Sequence, residues 1–125
     1  MAHSVEIAPP NSMILVVGSR RPDIPQSFGG APIVATSSCI AIGCKAAVDG
    51  STRFLLAYAD EFTSAEKPAF VGQLEAPDRV VALETVYGDR IAEQPLASFA
   101  AEISIWTNDC SEPDEVTIVI ACIGG

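Results

Sequence analysis

The segment that most restricts the fold lies near the C-terminus. Val116-Thr-Ile-Val-Ile-Ala-Cys-Ile123 is apolar at odd and even positions alike, Thr117 excepted. A strand sends successive side chains to opposite faces, so a run of this kind needs cover on both. It is far too short to span a bilayer. Cover on both faces implies at least two layers. Composition agrees. Val and Ile together number 23 against six Leu, and β-branched side chains fit a pleated sheet better than a helix. Nine Gly and nine Pro supply frequent turn points. The 49% apolar content excludes a disordered chain. At 125 residues the chain makes one domain. Folding buries about two-thirds of the surface such a chain exposes, enough for a core without staples.

The remaining strands follow from alternation and turn residues. Met13–Val17 reads as a short strand, followed by an irregular loop from Gly18 to Pro32 rich in Pro and paired Gly. Cys39–Val48, Asp49-Gly50 and Ser51–Tyr58 read as a hairpin, because Asp-Gly suits a type I′ turn. Gly43 marks a bulge in its first arm. Phe54, Leu56 and Tyr58 share one face of the second arm. Further strands are expected at Ala69–Glu75 and Arg79–Tyr87, with turns at Ala76-Pro77-Asp78 and Gly88-Asp89. Glu93–Ala101 allows at most a single helical turn, since Pro95 interrupts it. Ile103–Trp106 and Val116–Ile123 form a second hairpin around the loop Asn108–Asp114. The expectation is a single-domain antiparallel β-sandwich of about seven to nine strands. Residues 1–12 are expected as a loose N-terminal segment.

The charge balance narrows the function. Sixteen acidic and seven basic residues give a net charge of −9. Nucleic-acid phosphates and anionic membranes call for Lys and Arg, so both are poor partners for this chain. No basic segment precedes Met13–Val17, and Arg20-Arg21 follow it, the reverse of an export signal; the expected compartment is the cytoplasm. Cys39, Cys44, Cys110 and Cys122 include no C-x-x-C pair. Cys39 and Cys44 lie an odd number of residues apart and point to opposite faces, so four reduced thiols are expected.

No catalytic constellation is present. The single histidine, His3, sits near the terminus, and there is no phosphate-binding glycine loop. Lys45 and Lys67 lack the S-x-x-K spacing of a Ser-Lys dyad. Aromatic residues are too few to build a sugar cleft around a carboxylate pair. The chain reads as non-enzymatic, with no cofactor. What stands out is an acidic run: Asp109, Glu112, Asp114 and Glu115 fall within seven residues. It could be a solvated loop, a surface for a basic protein, or a calcium loop, although the spacing fits no EF-hand. Arg20 and Arg21 could grip a carboxylate or phosphate, and Trp106 could serve as a platform at a strand end.

Two segments carry a resemblance. Gly43-Cys-Lys-Ala-Ala-Val-Asp-Gly50 leads into the strand through Phe54, and Glu102-Ile-Ser-Ile-Trp-Thr107 leads into an acidic turn and the last strand. In order and separation they are similar to the competence protein J family. These are small acidic β-sandwich proteins that inhibit a secreted DNA-entry nuclease. The resemblance covers about half the chain. It implies a protein-binding inhibitor. The candidate surface for a basic partner is read from the residues themselves: Asp109, Glu112, Asp114 and Glu115, with Trp106, Arg20 and Arg21 as further candidates. Two other readings stay open. One is a self-associating structural domain. The other is a small-molecule or carbohydrate-binding module using Trp106 and the Gly18–Pro32 loop.

Overall fold

The computed structural model describes residues 2–109 and 112–123. Their ten strands are β1 (His3–Ile7), β2 (Met13–Val17), β3 (Ile33–Ala35), β4 (Cys39–Gly43), β5 (Thr52–Tyr58), β6 (Phe70–Glu75), β7 (Val80–Glu84), β8 (Arg90–Pro95), β9 (Ala100–Thr107) and β10 (Glu115–Cys122). They form two five-stranded sheets, β1-β5-β10-β9-β6 and β3-β4-β2-β7-β8. The architecture is the expected β-sandwich, and β10 takes the expected central place, between β9 and β5. Its pairing with β9 closes the expected C-terminal hairpin, and its pairing with β5 is parallel, the one departure from an antiparallel arrangement.

The core between the sheets follows the period-2 pattern. Phe54 and Leu56 of β5, Ile103 and Ile105 of β9, and Val116, Ile118 and Ile120 of β10 face Ile14, Val16, Ile40, Ile42, Val81 and Leu83. Each such side chain contributes about 1.5–3 kcal/mol by leaving water. A second, smaller cluster lies on the other side of the β2 sheet. There Leu15, Val17, Cys39, Ala41 and Ala82 are packed under Met13, Phe28 and Val34. Cys39 and Cys44 therefore serve opposite faces, as their odd spacing requires.

Two long segments supply the outer cover. The chain leaves β2 where β4 begins and re-enters β3 where β4 ends, so residues 18–32 run along the outer face of that sheet and lay Phe28 on the second cluster. On the other sheet, residues 59–69 travel from the end of β5 to the start of β6. Phe62 meets Trp106 on the way, and Ala57 and Val119 are buried although they point outward. The corner where β2 ends is tied across the sheets. Glu75 N–H donates to Ser37 O at 2.7 Å, and Gly18 passes so close to Glu75 that a Cβ there would sit 2.1 Å from the Glu75 carbonyl oxygen. Buried Gln94 of β8 donates to Leu56 O of β5 at 3.2 Å, a second tie between the layers.

Several expectations are corrected. Asp49-Gly50 does not close a hairpin. β4 and β5 belong to different sheets, and a 3-10 turn at Ala47–Asp49 carries the chain between them. A type I′ turn needs positive φ at both central residues; Gly50 has it (127°) and Asp49 does not. No bulge forms at Gly43, which pairs regularly with Met13; the ladder irregularity falls at Leu83/Glu84. Residues 3–7 are not loose, because β1 pairs antiparallel with β5 and covers its otherwise open edge. Glu93–Ala101 holds no helical turn. It contains the end of β8 and the start of β9, and Pro95 is tolerated as the last residue of an edge strand. β7 stops at Glu84, and Thr85–Asp89 turns back into β8.

Gly18→Ala should destabilise the chain by about 1–3 kcal/mol or more, since the Glu75 carbonyl must move. Gly29→Ala, with no atom within 4 Å of the new Cβ, should cost less despite its φ of +57°. Urea unfolding of the two variants measures the difference. Burial pushes the Cys39 and Cys44 thiols up to about 12, whereas Cys122 is exposed. A thiol-alkylating reagent at pH 8 should label Cys122 in the native chain, and Cys39 and Cys44 only after unfolding, as read by peptide mass spectrometry.

Candidate acidic site

One end of the sandwich gathers the starts of β5, β6 and β10, the end of β9, and the crossing at Ala47–Asp49. The acidic run lies there, between β9 and β10. Asn108, not one of its acids, organises it. The Asn108 amide donates to Asp114 Oδ1 at 2.6 Å, and its carbonyl oxygen accepts from the backbone N–H groups of Asp114 and Glu115, each at 3.1 Å. Asn and Asp favour such side-chain-to-backbone turns, which is the signal in the sequence that marks this residue. Asp109 Oδ2 accepts the Glu112 N–H at 2.8 Å, a second local brace.

Asp114 and Glu115 each face a basic side chain. Lys45 lies 3.5 Å from Asp114, and its backbone N–H donates to Pro113 O, which joins the crossing segment to the acidic loop. Arg53 stands 3.7 Å from Glu115 in an exposed pair of small energetic weight. The Asn108 hydrogen bond, with Lys45 behind it, holds the Asp114 carboxyl below its ordinary value. Glu112 is exposed and, like Asp49 and Asp89 at the same end, has no ion-pair partner among the described residues. The end thus keeps a net negative charge after its internal pairs are formed.

Trp106 adjoins this loop but is structurally engaged. Its Nε1–H donates to Glu66 O at 2.9 Å, and its ring tilts against Phe62 with centroids 5.1 Å apart. It fastens the 59–69 segment to the sheet. Arg20 and Arg21 are not part of the cluster. They follow β2 at the opposite end, where the Arg20 backbone N–H donates to Asp78 at 3.1 Å and that of Arg21 to Ser19 Oγ. Among the described residues no group of three or more His, Cys, Asp or Glu converges as a metal site. No helix of the described residues is long and apolar enough to cross a membrane.

The fold and this end together define a small two-sheet β-sandwich with a braced, acidic loop surface. No family model matches the sequence, and no curated protein matches it. Among solved structures the chain is similar to ComJ from Bacillus subtilis, described as an inhibitor of the DNA-degrading activity of NucA. The TM-score is 0.70, at 13% identity, over 97% of this chain and 96% of that one. The resemblance seen in two sequence segments therefore extends, as fold, along nearly the whole chain.

Asn108→Ala should release the loop. Amide hydrogen exchange at Asp114 and Glu115 should accelerate, and the Asp114 carboxyl should titrate closer to its ordinary value. In the unaltered chain the depressed carboxyl contributes stability above its unfolded value, and this is lost as pH falls through the lower folded value. A carboxyl titration by NMR, with and without Asn108, reads both.

Proposed function

We propose that the chain is a non-enzymatic protein-binding module of the inhibitor type, whose acidic end engages a basic protein surface such as that of a nuclease. The observation that carries this reading is the near end-to-end structural similarity to ComJ. The braced loop supports it. A surface held in one shape by Asn108 and Asp109 loses less freedom on binding than a floppy one. Inhibition would be steric, by cover of the target's active face. The carboxylates Asp109, Glu112, Asp114 and Glu115 would speed encounter with a positive surface rather than perform chemistry. Trp106 would act indirectly, by fixing the segment beside the loop. Cytoplasmic location and the single-domain reading belong to the same proposal.

The test is plasmid degradation by a NucA-type nuclease with increasing amounts of the chain, together with association rates at low and high salt. Degradation should stop at stoichiometric inhibitor. Association should slow with salt, and Glu112→Lys should lower the low-salt rate roughly tenfold. Full degradation at excess chain would overturn the reading, and a salt-independent rate would remove the steering.

A further inference from the structure

Beside the acidic loop a groove of about 430 Å³ opens between the two sheets. Pro32, Ile33 and Gly43 line it from the β3–β4 side, and Ala69 and Pro113 from the other sheet's connections. Thr107 and Asn108 complete that wall. The lining is mainly apolar, and among the described residues Asp109 is its one charged member. At Gly43 the wall is closely packed: a Cβ there would lie 3.3 Å from Pro32 O.

The geometry points to a groove that receives one arginine side chain from the partner's basic surface. This rests on the inhibitor reading and deepens it. An arginine side chain has two parts, a methylene stem that lies well on apolar walls and a charged head that seeks a carboxylate. Pro32, Ile33, Ala69 and Pro113 suit the stem, and Asp109 suits the head. The Asp109 carboxylate already accepts the Glu112 N–H, which fixes its position, and a carboxylate has lone pairs for more than one donor. The guanidinium is weakly hydrated and bonds carboxylates through two parallel N–H groups, so it leaves water more readily than the lysine ammonium. A purely apolar occupant would desolvate Asp109 with nothing to replace the water. A second copy of this chain, at a net charge of −9, would be repelled on approach.

The test is a titration of the ¹⁵N-labelled full chain with acetyl-Gly-Arg-Gly-amide, and in parallel with its citrulline analogue. Citrulline keeps the shape and removes the charge. Saturable amide shifts at Ile33, Gly43 and Ala69 are expected with arginine, and at least severalfold weaker ones with citrulline. Ala69→Phe, at an exposed position, should abolish the shifts by filling the groove. Asp109→Asn retains an acceptor for the Glu112 N–H and should reduce the arginine response to the citrulline level. Equal responses to the two peptides, shifts elsewhere only, or no shifts at all would overturn the assignment. So would shifts that depend on chain concentration without peptide, which would give the groove to a second copy. The two readings separate in the nuclease assay. Inhibition that survives Ala69→Phe undiminished removes the groove and leaves the inhibitor. Arginine-specific shifts in a chain that inhibits no nuclease leave the groove and remove the inhibitor.

Discussion

The structure depends on the need to cover strands that are apolar on both faces. β10 sends Val116, Ile118 and Ile120 into the core and Val119 outward, and β2 does the same with Ile14 and Val16 against Leu15 and Val17. Each sheet covers the inner face of the other. Neither can cover its own outer face, and apolar area left in water forfeits about 25 cal/mol per Å². The two long irregular segments, 18–32 and 59–69, answer this need, one with Phe28 and the other with Phe62. Both run from the same end of the sandwich toward the acidic end, and there they pass into β3 and β6, beside the groove. The two covering segments therefore end in Pro32 and Ala69, which line the groove beside the acidic loop.

The acidic loop shows how charge and rigidity are obtained together. Carboxylates crowded into seven residues repel one another, and alone they would spread the loop. Asn108 offsets this with hydrogen bonds to three groups at the far side of the loop, and Lys45 reaches in from the crossing segment. Only part of the charge is cancelled. A surface that is negative and well ordered can distinguish partners by shape as well as by sign.

How much of this was legible in the sequence varies with the range of the signal. The central place of β10 was legible because its pattern states directly that both faces are covered. The β9–β10 hairpin was legible because its arms are neighbours in the chain. The Asp49-Gly50 hairpin misled for the complementary reason. Turn residues report local bending, and whether the next strand pairs back or crosses to the other sheet is decided by distant partners, here β1 and β10 for β5. β1 itself, His3–Ile7, has little apolar content to announce it; it exists because β5 offers an edge. At the site, the carboxylates were legible as a cluster. Lys45 and Arg53 were not, because their roles appear only when residues up to 69 positions apart are brought together. Asn108 carries a local turn signal, but six and seven residues of irregular chain separate it from the groups it bonds, and no periodic pattern fixes that spacing. The separation of Arg20 and Arg21 from the cluster likewise follows from the direction of the 18–32 segment, which no local pattern contains.

The parallel pairing of β5 with β10 has a consequence for how the molecule is made. β10 is the last of the ten strands to leave the ribosome, yet it occupies the middle of its sheet. Until it arrives, β5 and β9 each present an unpaired edge, and an unpaired edge is a template for any passing strand. The half-made sandwich is therefore two ribbons awaiting a keystone, β1-β5 and β6-β9. Its passage to the native state is governed by contacts of long sequence separation, which form slowly.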